Sequence, residues 1–171
     1  MSSPVHERSK RPRSIVAGPY GHPFHAILVT IPIGAWIGAF VFDLVAIFSD
    51  DPETFSPGAA LLIAIGLVGA VLAAILGFLD FLQLESGTKV HRIALTHMAI
   101  NLGAVVLFGV SLAIRAASGY DEVNGIAVTL SVIGLLGLGV SGYLGGEMAY
   151  RYGVRVADES TQQEGFTKPR R

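Results

Sequence analysis

Six ionisable side chains fall inside the long apolar stretches of this 171-residue chain: His25, Asp43, Asp80, His97, Arg115 and Glu147. Asn101 is a further polar group among them. Beside lipid each is costly, so each asks for a partner or a task. Their spacing has a pattern. Asp43 follows His25 by 18 residues, and Arg115 follows His97 by 18. At 3.6 residues per turn this is five whole turns, so each pair shares one helix face across about 27 Å. If Asp43 pairs with Arg115 near one membrane surface, His25 and His97 meet at a common depth near the other. An Arg115 that snorkels to the headgroups is the alternative.

His25 and His97 have the surroundings of ligands. Pro23 suits the first turn of a helix, where its missing N–H costs nothing. His25 then sits at the positive end of the helix dipole, which disfavours imidazolium and leaves the metal-binding neutral ring. His97 has Ala94 one turn before it and Asn101 one turn after, which offer room and a hydrogen bond. Two imidazoles from two helices suit a b-type haem, whose filled axial positions favour electron transfer with a redox partner protein. Asp80 reaches a similar depth, and with the two histidines it makes a donor set for zinc or iron. His22 and His91, at the membrane boundary, are weaker metal candidates. Glu147, beside Gly145-Gly146 and Arg151, is expected to face water at the interface. A cofactor-free scaffold or partner-binding subunit, whose polar groups fix helix register, is the remaining alternative, with a proton or ion pathway behind it. No nucleophile–base constellation, phosphate loop or nucleic-acid patch appears, which weighs against an enzyme without deciding it.

The elements that would position these residues follow from composition. The chain is 51% hydrophobic and 15% charged, where a soluble domain has about a quarter charged. Four stretches are long enough to cross a bilayer: His25–Phe48, Ala59–Leu82, Ile93–Ala116 and Ile126–Tyr150. Short connections with turn signals, Ser49–Pro52 with Ser56–Gly58, Glu85–Thr88 and Ser118–Asp121, make neighbours antiparallel. The expected fold is an all-α, up-down-up-down integral membrane four-helix bundle over residues 21–152. Flexible segments, 1–20 and 153–171, flank it. Eleven of the twelve Lys and Arg residues lie before the first span, after the last, or between the second and third. The positive-inside rule therefore predicts both termini in the cytoplasm. The basic run Arg8–Arg13 serves the same topology. Residues 1–20 are polar and basic and do not read as a signal peptide.

Gly69, Ala73 and Gly77, and likewise Gly137, Ser141 and Gly145, recur at helical spacing. Such stripes allow close helix packing, or room for a flat cofactor. Pro32 removes a bond to Leu28 and should kink the first span. The chain has no cysteine, which excludes disulfides, thiolate-held iron–sulfur clusters and covalently attached c-type haem.

The segments GHPFHAILVTIPIGAW…FD, LDF, His97 with Asn101, and SGYLGGEMAYRYGVRV resemble a family of small bacterial integral membrane proteins classed as a domain of unknown function. The resemblance covers about residues 20–156. It marks His22, Pro23, His25, Pro32, Gly34, Asp43, Asp80, His97, Asn101, Gly142, Gly145, Gly146, Tyr150 and Gly153. Ala26 departs from the proline often found there, and Glu147 matches no fixed residue. The resemblance implies a multi-pass protein of the bacterial cytoplasmic membrane. Some similar proteins are joined to Rieske-type domains, which implies a redox setting.

Overall fold

The computed structural model describes residues 4–12, 14–18 and 22–166. Arg13, Gly21, Lys168, Arg170 and Arg171 lie outside the described residues. The described chain is all-α: α1 (Pro4–Lys10), α2 (Phe24–Leu28), α3 (Thr30–Phe48), α4 (Pro52–Phe81), α5 (Lys89–Ser118), α6 (Gly125–Gly146) and α7 (Glu159–Glu164). Glu147–Arg151 extend α6 by one turn of π geometry. Four spans long and apolar enough to cross a bilayer result: Phe24–Phe48, Pro52–Phe81, Lys89–Ser118 and Gly125–Arg151.

Side-chain capping sets where the last three spans begin. Asp51 accepts from the Thr54 backbone N–H, Thr88 from His91, and Asn124 from Ile126 and Ala127. Each satisfies donors the first turn leaves free. The second span starts earlier than the Ser56-Pro57-Gly58 turn signals predict. Pro52 occupies the first helical position, and Pro57 lies inside the helix. Capping at Asp51 and packing offset the one hydrogen bond that Pro57 forgoes: a Cβ on Gly58 would meet the Phe42 ring. The first span divides at Val29, one turn before Pro32. Pro32 has no N–H to give to Leu28, and Thr30 Oγ1 instead donates to the Ile27 carbonyl at 2.6 Å.

The spans pack in sequence, α3 on α4 and α5 on α6. α3 also packs on α6 and α4 on α5, so the first and third spans face each other across the bundle diagonal. The interior is made of small residues: Ala39, Ala59, Ala73, Ala127, Ser111, Ser131 and Ser141 are all buried. Ile37, Val41, Leu61, Val68, Leu136 and Val140 face outward and are exposed. Water would penalise such a surface, whereas lipid is as apolar as these side chains, and small residues bring backbones together.

The two hairpins repeat one design. Trp36 and Phe108, 72 residues apart, stack across the diagonal with ring centroids at 4.0 Å and an interplanar angle of 13°. Asp43 and Arg115, also 72 apart, form an ion pair. Pro32 and Ala104, and Ala39 and Ser111, are buried at the same offset. On the second helix of each hairpin the offset is 68. A Cβ on Gly66 would meet the Trp36 ring, and one on Gly134 would meet the Phe108 ring. The first and third spans run in the same direction, so the halves are related by a pseudo-two-fold axis along the bundle.

Candidate functional site

Three layers lie along that axis, separated from the far end inward by 7 and then 11 residues, about 10 Å and 16 Å of helix. In the layer farthest from the termini, Arg115 Nη1 and Nη2 donate to Asp43 Oδ1 and Oδ2 at 2.7 Å each. The two side chains are 1% and 0% exposed. Arg115 Nε reaches Ser111 Oγ at 3.4 Å, and that hydroxyl donates to the Ala127 carbonyl at 2.8 Å. A planar guanidinium meeting a carboxylate in two parallel bonds is the geometry that offsets desolvation best. The Trp36–Phe108 stack forms the middle layer, with Trp36 Nε1 donating to the Ile63 carbonyl at 3.3 Å. In both layers a bridge closes the diagonal.

The third layer holds His25 and His97, and here each ring is tied to its own hairpin. His25 Nδ1 lies 2.8 Å from the Ala73 carbonyl, and His97 Nδ1 lies 2.9 Å from the Ser141 carbonyl. A carbonyl only accepts, so both Nδ1 atoms carry the proton and Nε2 keeps its lone pair in the neutral ring. Gly77 and Gly145 lie one turn beyond those carbonyls; Gly77 makes room for the His25 ring, while at Gly145 a Cβ would only touch the His97 ring. A Cβ on Gly77 would lie 2.9 Å from His25 Cε1, and one on Gly145 3.4 Å from His97 Cε1. The stripe on the second span thus seats the His25 imidazole at Gly77.

The two rings differ in two respects. Ser141 Oγ lies 2.8 Å from His97 Nδ1, where Ala73 offers His25 no hydroxyl. Asn101 Nδ2 is 3.1 Å from His97 Nε2, 2.9 Å from the His97 carbonyl and 2.6 Å from Ser141 Oγ. Its counterpart in the first hairpin is Val29, so nothing equivalent caps His25.

Asp80 does not join the histidines. The helix carries it one turn past the His25 ring, where Oδ1 meets Arg155 Nε at 3.0 Å. Among the described residues no three His, Asp or Glu side chains converge closely enough to hold a metal ion. His22 is exposed, and the His91 ring packs on Phe81 at 4.9 Å between centroids. Glu147 pairs with Arg151 at 3.3 Å.

The terminal segments meet at this end of the bundle. The Arg155 N–H donates to the Ser9 carbonyl at 3.1 Å, and Lys10 Nζ pairs with Glu159 at 3.0 Å. Arg155 Nη2 donates to the Ala17 and His22 carbonyls at 3.3 Å each. Arg155 was not among the residues the sequence pointed to, because it reads there as one more basic residue of a polar tail. Its place within SGYLGGEMAYRYGVRV was the available signal.

Residues 21–158 match the family described as predicted membrane protein, DUF2231. The chain belongs to the DUF2231 family. The match covers all four spans of this DUF2231 protein and the segment that carries Arg155. Neither the search of curated proteins nor that of solved structures found a match. The DUF2231 description names a membrane protein and no reaction, so the chemistry has to come from the layers above.

Proposed function

We propose that this protein is a b-type haem-binding electron-transfer protein of the bacterial cytoplasmic membrane, with His25 and His97 as axial ligands. Both termini and the second connection face the cytoplasm on this reading, because Lys and Arg concentrate there. The supporting observation is the matched pair of imidazoles, each tied through Nδ1 to a backbone carbonyl of its own hairpin. Ligating histidines characteristically spend their other ring nitrogen in this way, which fixes the tautomer and raises basicity at the ligating atom. Two imidazoles related by a pseudo-two-fold suit a ligand with two equivalent faces, which a flat tetrapyrrole presents. Bis-imidazole haem supplies reversible one-electron chemistry with no open position for a substrate. The chain's own contribution is to hold two Nε2 atoms and to exclude water with the Trp36–Phe108 layer.

The Asn101 amide must leave His97 Nε2 before that atom can ligate. Asn101→Val, which copies the first hairpin, should therefore take up haem faster than wild type in stopped-flow mixing. A cofactor-free scaffold is the second reading, favoured by that same amide, which leaves His97 fully hydrogen-bonded.

The deciding measurement is an absorption spectrum, with bound-metal analysis, of the protein purified in detergent from haem-supplied cells. A low-spin spectrum is expected, lost in both His25→Ala and His97→Ala and retained in His22→Ala. A folded, colourless, metal-free preparation rejects the haem reading and leaves the scaffold.

A further inference from the structure

Arg155 is built into the terminal end of the bundle at some conformational cost. Its backbone has φ 58°, a left-handed conformation that side chains with a Cβ rarely adopt, and Gly153 two residues earlier has φ 68°. Together they hook the chain back after the π turn and direct the guanidinium inward. Such outliers persist where the surroundings hold them, and they cluster at functional positions.

The Arg155 side chain is 7% exposed, yet its polar atoms are incompletely used. Nη2 serves the Ala17 and His22 carbonyls. Nε is at ion-pair distance from Asp80 Oδ1, 3.0 Å. Nε, Nη1 and Asp80 Oδ1 are all buried without a hydrogen-bond partner among the described residues. A buried donor left this way is expensive, and a guanidinium has more N–H groups to give than one carboxylate oxygen takes.

The location matters as much as the vacancy in bonding. His22, whose carbonyl Arg155 holds, lies three residues before His25, just outside α2. Asp80, which Arg155 faces, lies one turn after Gly77, the glycine under the His25 ring. Gly18 lets the N-terminal segment pass beneath, since a Cβ there would meet both the His22 carbonyl and Arg155 Nη2. By two routes, then, the guanidinium is linked to the surroundings of the His25 ring: through the His22 carbonyl three residues before it, and through Asp80, one turn after the glycine the ring packs on.

We propose that Arg155 is a positioning residue for the carboxylate edge of the ligand held by His25 and His97. This rests on the haem reading, in which that edge is the pair of propionates. A propionate reaching that guanidinium would accept from Nη1 and Nε, the charge-assisted geometry in which Arg excels. Asp80 keeps the buried guanidinium neutralised until the ligand binds, and competes with it.

The test is a titration of the full-length apoprotein in detergent with haem b and, separately, with haem b dimethyl ester, whose propionates are uncharged. Wild type should bind haem at least about tenfold tighter than the diester, the range of one charge-assisted hydrogen bond. Arg155→Gln should bind the two equally, by losing affinity for haem alone. Arg155→Lys should keep part of the preference, and Asp80→Asn should enlarge it. Wild type binding both forms equally, or Arg155→Gln keeping the preference, overturns this proposal while the haem reading stands. Binding of neither form by wild type rejects both. If Arg155→Gln does not purify, the wild-type comparison and Arg155→Lys carry the decision.

Discussion

Asp43 and Arg115 show how a membrane interior treats charge. Each alone would be a buried, unpaired ion. Together they neutralise one another through two 2.7 Å bonds, with Ser111 taking a further N–H. Removing one partner of such a pair costs about 3–5 kcal/mol, because the other stays charged and desolvated. Asp43→Asn and Arg115→Gln should each lower the denaturation midpoint in detergent by a margin of that size. The swap of Asp43→Arg with Arg115→Asp should recover much of it. Recovery should be incomplete, because Ala39 stands where Ser111 supports the native arginine. A swap no more stable than the single variants would show that the pair contributes nothing as a pair.

Among the elements, the glycines determine how closely the helices of each hairpin approach. Gly66 lies against the Trp36 indole and Gly134 against the Phe108 ring, where a Cβ would stand 2.8 Å from Phe108 Cε2. Gly139, on the same helix as Gly134, faces open space. Overpacking typically costs about 1–3 kcal/mol. Gly66→Ala and Gly134→Ala should therefore destabilise to that extent, and Gly139→Ala should be near neutral in the same unfolding assay. Equal effects at all three positions would contradict the packing role. The sequence displays these stripes but not what they accommodate. The same spacing serves bare helix contact, an aromatic ring at Gly66 or an imidazole at Gly77. Only the partner helix decides which.

At the scale of the whole molecule, the chain is two similar hairpins fused in one polypeptide, with three layers on their shared axis. The arrangement puts both terminal segments at the histidine end, where Lys10–Glu159 and Arg155–Ser9 tie them together. The absence of cysteine makes the orientation simple to measure. Ser160→Cys should react with a membrane-impermeant thiol reagent only after cell lysis. Asp121→Cys, in the third connection, should react with spheroplasts kept whole. The opposite pattern would invert the topology proposed from charge.

The sequence by itself determined the spans and the depth of their polar residues. Length, hydropathy and an 18-residue spacing are local properties that a helix converts directly into position along its axis. Asp43 and Arg115 could be recognised as one level on that ground, and His25 and His97 as another. The repeat was not legible, because it is carried by position rather than residue type: Trp36 answers to Phe108, Asp43 to Arg115 and Val29 to Asn101. Its offset also changes from 72 to 68 between the two helices of a hairpin, about one turn, so no single shift aligns the halves. Arg155 belongs to the same class of decision. A polar segment after the last span has no periodicity to read. Only the left-handed backbone, folded under the bundle, brings that guanidinium to Asp80 and to the His22 carbonyl.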